Sequence, residues 1–129
     1  MSIPTTMRAL RQLSLNGPQD MHLISDAPVP VPGRGEILIR VAAAGVNFRD
    51  VSQTRGTSGG GPQPPYLAGF EAAGEIVAIG EGVSGIEPGA RVIGVGYGAF
   101  AEYMALPAVA AVPVPAGWTA EESLGLVVS

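Results

Sequence analysis

Five side chains between Gly45 and Glu71 could act on a polarised oxygen: Asn47, Arg49 and Asp50 in the run GVNFRD, then Tyr66, then Glu71. Asn47 carries an amide N–H, and a donor aimed at an oxygen where negative charge builds stabilises that charge as it forms. If residues 48–54 are helical, Asn47 and Asp50 are three apart and share roughly one face. Each group also has a plainer role. Asn47 is a good helix cap, and Asp50 is a first-turn acid favoured by the helix dipole. Arg49 can be a solvated charge, and Tyr66, after Pro64-Pro65, can simply anchor a loop. Glu71, beside an apolar run, suits a backbone amide or an arginine better than a role as general acid.

Composition narrows the chemistry further. The chain has no cysteine, which removes disulfides, thiolate metal sites, iron–sulfur clusters and a cysteine nucleophile together. His22 is the single histidine, in the alternating run MHLIS, and reads as a surface or half-buried strand residue. The seven basic residues are all arginine and are scattered against 11 acids, for a net charge of −4, so no basic track marks a nucleic-acid partner. No apolar run reaches the length of a membrane span, and the N-terminus lacks a signal-peptide core. A soluble cytoplasmic protein is the default expectation. At 129 residues, 47% of them hydrophobic, the chain suits one domain with a modest core.

The elements that must hold these side chains are mostly strands. Met7–Leu15 alternates apolar and polar, Asn16-Gly17 offers a turn, and Met21–Ser25 follows as a second run. Ala27–Gly35, stiffened by prolines, reads as a crossing loop. In Glu36–Val46, Ile37, Ile39 and Val41 share one face and Glu36, Leu38 and Arg40 the other. Glu71–Ile79 is a further strand whose Gly74 suggests a bulge or close packing. Arg91–Val95, Ala99–Leu106 and Val109–Val114 are shorter strands between Gly and Pro turns, and such a series points to a partly closed β-barrel. Asn47 should cap a short helix over Phe48–Thr54 that ends at Gly56. Thr119-Ala-Glu-Glu122 is a capping box that should open a second helix of about ten residues. Its apolar positions, Leu124, Leu126, Val127 and Val128, are still accumulating at Ser129.

GFEAAGEIVAIGEGV resembles the GHE-x-x-G segment of the medium-chain dehydrogenase/reductase superfamily, with glycines at 69, 74 and 80 and Glu71 in place. In its zinc alcohol dehydrogenases, the His of that segment and a Cys about twenty residues upstream hold the catalytic metal. The matching positions here are Phe70 and Asn47, which offer zinc neither imidazole nor thiolate. The better match is the zinc-independent quinone oxidoreductase and enoyl reductase branch. ALRQLSLNGPQDMHLISDAPVPVPGRGEILIRV resembles its opening strands, and GAFAEYMALPAVAAVPVPAGWTAEES its closing strands and connecting helix.

The resemblance implies a mainly β fold, a GroES-like catalytic domain over residues 1–118. Residues 119–129 would then begin a connecting helix, cut short, that leads to a nucleotide-binding Rossmann domain missing from the chain. It implies hydride transfer from NADPH to a quinone or conjugated enone, with Asn47 and Asp50 lining the catalytic cleft and Asn47, Phe48 and Arg49 meeting the cofactor. No metal is implied. The glycine runs at 33–35 and 94–98 sit within β segments and do not open a phosphate-binding helix, so the 129-residue chain should be inactive alone. Where the family often has a tyrosine two residues past the Asp, this chain has Ser52, and its following loop, Thr57–Gly61, lacks an aromatic. Both changes loosen the pocket and leave the proton donor unidentified, with Tyr66 the nearest candidate. The exposed connector should be mobile or should dock on a second copy as a homodimer. Two other readings share the fold: a non-enzymatic GroES-like binding module, and a fragment of a zinc-type alcohol dehydrogenase.

Overall fold

A computed structural model describes residues 2–57, 59 and 61–126. Strand β1 (Thr6–Gln12) pairs antiparallel with β2 (Met21–Pro28), the two joined through Gly17 and a 3₁₀ turn at Pro18–Asp20. The strand β2 runs three residues past the expected end, taking in Ala27 and Pro28 before the prolyl loop begins. β3 (Glu36–Gly45) leads into α1 (Phe48–Thr54), which has the expected bounds, with Asn47 as its cap and Gly56 at φ +69° just beyond it. The short β4 (Tyr66–Leu67) precedes β5 (Glu71–Ile79) and β6 (Arg91–Val95), and both of these match the sequence expectation. β7 (Tyr103–Pro107), a 3₁₀ turn at Ala108–Ala110 and β8 (Val112–Pro113) follow, and α2 (Ala120–Ser123) comes last.

Among the described residues the strands form two sheets, ordered β2-β1-β4 and β7-β3-β5-β6-β8. The segment 100–102 stitches them together. Leu10 N–H donates to Phe100 O (2.9 Å), Phe100 N–H to Ala68 O (2.9 Å), Glu102 N–H to Arg8 O (3.1 Å) and Val41 N–H to Glu102 O (2.9 Å), with a bridge between Ala9 and Ala101. These bonds satisfy edge groups that would otherwise stay unpaired. They also make 99–102 a crossing between sheets, where the sequence suggested one continuous strand.

The main core cluster is Ile37, Ile39, Ala72, Ile76, Val92, Ala99, Met104 and Leu106; Met7, Ala9 and Ala27 form a smaller cluster against Leu67 and Tyr103. Leu38 is buried as well, although alternation puts it on the other face. That face is therefore not given over to water, and α2 packs against β3 and β5. Opposite Gly74 the β3 ladder slips between Val41 and Ala43, and a Cβ on Gly74 would collide with the Arg40 carbonyl. Close packing and a bulge, the two alternatives for Gly74, occur together.

Two expectations for the connector need correction. α2 lasts one turn, not about ten residues, because Leu124 is extended (φ −63°, ψ 137°) and Gly125 turns to φ +94°. The connector also lies on the barrel: Ser123 is buried and Leu124 half-buried, while Glu121, Glu122, Gly125 and Leu126 are exposed. Val127 and Val128 lie outside the described residues.

Candidate active site

The site forms where β3 ends and α1 begins. Asn47 is extended (φ −123°, ψ 161°) and starts the helix, and the Asp50 carboxylate reaches back so that its Oδ2 accepts the Asn47 N–H at 2.7 Å. This is the plainer capping role anticipated for the pair, and it uses one oxygen of Asp50. Asp50 Oδ1 and Asn47 Nδ2 are both buried and without hydrogen-bond partners. Capping therefore leaves one acceptor and one donor unexplained.

The inner face of α1 enlarges the problem. A short helix on a barrel ordinarily buries apolar residues, yet α1 buries Asp50, Gln53 and Thr54. Thr54 bonds to its own helix at Val51 O (2.7 Å), and its carbonyl accepts the Gly17 N–H (3.0 Å), which ties α1 to the β1–β2 turn. Gln53 Nε2 has no partner, nor has the Tyr66 hydroxyl, nor Gln12 Oε1, whose residue lies opposite Tyr66 in the β1–β4 ladder. Among the described residues these five atoms are the buried side-chain donors and acceptors left unmet, all in or beside α1 and the β1–β4 pair. Leaving one such group unmet costs about 1–3 kcal/mol. Five such atoms in or beside α1 and the β1–β4 pair make this the polar-rich part of the described interior.

The electrostatics agree. Burial pushes the Asp50 carboxyl above its ordinary value; the Asn47 N–H and the Arg49 charge oppose the rise, and nearby Glu71 adds to it. Burial, followed by the Asp50 charge, pushes the Tyr66 hydroxyl up as well. The upward shift keeps Tyr66 protonated, with a hydroxyl proton not yet donated to any partner.

Three further residues frame the site. Glu71 is buried, and its Oε2 accepts the Gly125 N–H at 2.7 Å, in keeping with the backbone-amide role expected of it. Its Oε1 occupies the space a Cβ on Gly45 would need, so a side chain at position 45 would displace the carboxylate from this position. The Arg49 guanidinium stacks 4.0 Å from the Phe70 ring centroid, a cation–π contact that neither Arg49 nor Phe70 announced in the sequence. Phe48 is exposed, with 84% of its surface open. His22 is exposed on β2 opposite Arg11, as its strand setting suggested. Gln53 was not singled out, although its place three residues after Asp50 puts it on the same helix face.

The family profile of the alcohol dehydrogenase GroES-like domain matches residues 33–116, which include Asn47, Asp50, Gln53, Tyr66 and Glu71. The chain belongs to the alcohol dehydrogenase GroES-like domain family. Within the medium-chain dehydrogenase/reductase superfamily, its relatives place it on the quinone oxidoreductase branch. It is 38% identical over 117 residues to prostaglandin reductase-3 of Mus musculus, a match covering 88% of this chain and 31% of the relative. It is 41% identical over 99 residues to quinone oxidoreductase of Lama guanicoe, covering 75% and 30%. A mycobacterial protein, Rv1454c, solved in complex with NADPH, superposes with a TM-score of 0.83 at 34% identity, covering 91% of this chain and 37% of that one. The chain thus spans about a third of the length of these relatives.

Proposed function

We propose that this domain is the substrate-facing part of an NADPH-dependent, zinc-independent reductase that acts on quinones or conjugated enones. The cluster of unmet polar atoms at Asn47, Asp50 and Tyr66 carries this reading, and the names of the two curated relatives agree with it. A reduced nicotinamide, held mainly by a second domain, would supply the hydride. Nδ2 of Asn47 offers the donor for a substrate carbonyl oxygen or a ribose hydroxyl of the cofactor. Asp50 fixes Asn47 through its backbone N–H and keeps Oδ1 to accept a hydroxyl proton. Tyr66, holding its proton, donates to the oxygen that becomes enolate-like. Phe48, exposed beside Asn47, and Arg49, steadied on Phe70, are the remaining contacts for the cofactor. With Asn47 and Phe70 at the two ligand positions the donor set does not suit zinc. The reading extends to a cytoplasmic protein that binds neither nucleic acid nor membrane and pairs as a homodimer.

Asn47→Ala in the full-length parent tests the reading. Turnover with NADPH and a quinone or enone should fall more than about tenfold, as when one positioned donor is lost. Unfolding should shift by only about 1 kcal/mol, the worth of a cap. Normal turnover with lowered stability would reduce Asn47 to a cap. Refolding with excess zinc, followed by metal analysis, should leave well under one ion per chain; a tightly held stoichiometric zinc would refute the zinc-independent assignment.

A further inference from the structure

The turn between β1 and β2 sets an exposed asparagine before a buried glycine, Asn16-Gly17. The pair lies outside the candidate active site, yet it fastens the helix that carries that site. Gly17 donates its N–H to the carbonyl of Thr54, the last residue of α1, at 3.0 Å. Its own carbonyl accepts Gln12 Nε2 at 2.7 Å. Leu15 packs at the same end of the helix, where a Cβ on Gly56 would meet its Cδ1 at 3.1 Å. The turn also dictates the residue at position 17. Its φ is +121°, and a Cβ there would come within 2.5 Å of Gln19 Oε1, so the backbone calls for glycine. Glycine after asparagine is also the pairing in which the next main-chain nitrogen meets least hindrance at the asparagine side chain.

The reaction open to such a pair is an intramolecular one. The Gly17 nitrogen attacks Asn16 Cγ, the N–Cγ bond forms, the Cγ–Nδ2 bond breaks, and ammonia leaves with the proton that the Gly17 nitrogen gives up. Water then opens the cyclic imide. Opening at Cγ yields aspartate; opening at the Asn16 main-chain carbonyl yields isoaspartate, whose main chain is longer by a methylene. Nothing is oxidised or reduced, and water is the only co-reactant. In the folded chain the Gly17 N–H is committed to Thr54 O, and the nitrogen reaches Cγ only when that bond opens.

We propose that Asn16-Gly17 is a self-modification site gated by α1. Thr54 O holds the site closed, and conversion to isoaspartate, once it happens, misplaces Gly17 and releases the end of the helix that bears Asp50 and Gln53. The modification is thus a one-way mark of an opened α1.

The test compares the 129-residue chain with a synthetic peptide of residues 12–20 at the same mildly alkaline pH. Ion exchange separates the products by their added negative charge, and electron-transfer fragmentation tells isoaspartate from aspartate. Asn16 should deamidate roughly tenfold or more slowly in the folded chain, the order set by a main-chain hydrogen bond that must open first. Gly56→Ala, strained at φ +69° and pressed against Leu15, should raise the rate several-fold while circular dichroism shows a folded chain. Asp50→Ala, which removes the cap at the other end of α1, is the second variant if Gly56→Ala does not fold. Equal rates in the folded chain and the peptide, or a folded variant no faster than the parent, would overturn the gate. The purified isoaspartate form should lose amide protection across Phe48–Thr54, whereas Asn16→Asp, which adds the charge without lengthening the chain, should keep it. Full protection in the isoaspartate form would overturn the release of α1.

Discussion

Asp50 commits one carboxylate oxygen to the helix start and keeps the other unspent. One of its carboxylate oxygens closes the start of α1 and the other is buried without a partner, so burial raises its pKa above the ordinary 3.8. The consequence for stability has a definite sign. The folded chain holds this proton at a pH where the unfolded chain has lost it, so the stability Asp50 contributes is fully present below pH 3.8 and is lost as pH rises through the folded-state value. Glu102, held below its ordinary value by Arg8, works in the opposite sense, so only a difference measurement isolates Asp50. Urea unfolding from acid to neutral pH should show the parent chain losing stability relative to Asp50→Asn, which still accepts the Asn47 N–H but does not ionise. Parallel curves would place the Asp50 titration at its ordinary value. At this scale the sequence was informative where side-chain type dictates geometry. An Asn three residues ahead of an Asp announces a helix start, but whether each group has an atom to spare depends on what lies across the barrel. Gln12 and Tyr66, which supply two of the unmet atoms, come from strands far away in the chain.

α1 was fully legible because its signals are local: a capping residue before it and a positive-φ glycine after it. The same holds for β5 and β6, framed by turns. α2 was only half legible. Thr119 and Glu122 form the expected capping box, with Thr119 N–H donating to Glu122 Oε1 at 2.8 Å and Glu122 N–H to Thr119 Oγ1 at 3.1 Å. The stop is not local, since the Gly125 N–H is claimed by Glu71, 54 positions earlier in the chain. A one-turn helix is too short to persist alone, so Glu71 should decide whether the connector stays on the barrel. Glu71→Ala should therefore speed amide exchange across residues 120–126 by about tenfold or more, since a hydrogen bond to a charged group is worth about 1.5–3 kcal/mol. Glu71→Gln, which keeps an acceptor oxygen, should restore much of the protection. Unchanged exchange in Glu71→Ala would mean that packing of Ser123 and Leu124 alone holds the segment.

Seen whole, the domain presents a partly closed barrel with its unmet polar atoms near the mouth of α1, and exposed apolar residues on both sides of Asn47: Val46 at 77% and Phe48 at 84%. The Asn47 amide nitrogen is itself buried, but the apolar side chains on either side of it stand in water. That rim calls for a cover. The relatives are about three times longer than this chain, and under the proposed function the domain that holds the cofactor would be the cover for Val46 and Phe48. The described glycine turns do not replace it. Gly94 lies within β6, Gly96 donates its N–H to Phe70 O, and Gly98 donates its N–H to Gly69 O, so these amides are spent within the barrel and cannot cradle a pyrophosphate. Net charge sharpens the point, since a chain at −4 has no long-range attraction for an anionic dinucleotide. Calorimetric titration of NADPH into the 129-residue chain should accordingly give no saturable binding up to about millimolar concentration, while the full-length parent binds it in the usual range for cofactors. Micromolar binding by the 129-residue chain would mean that Arg49, stacked on Phe70 beside Asn47, is enough of an anion site to hold the cofactor without a second domain.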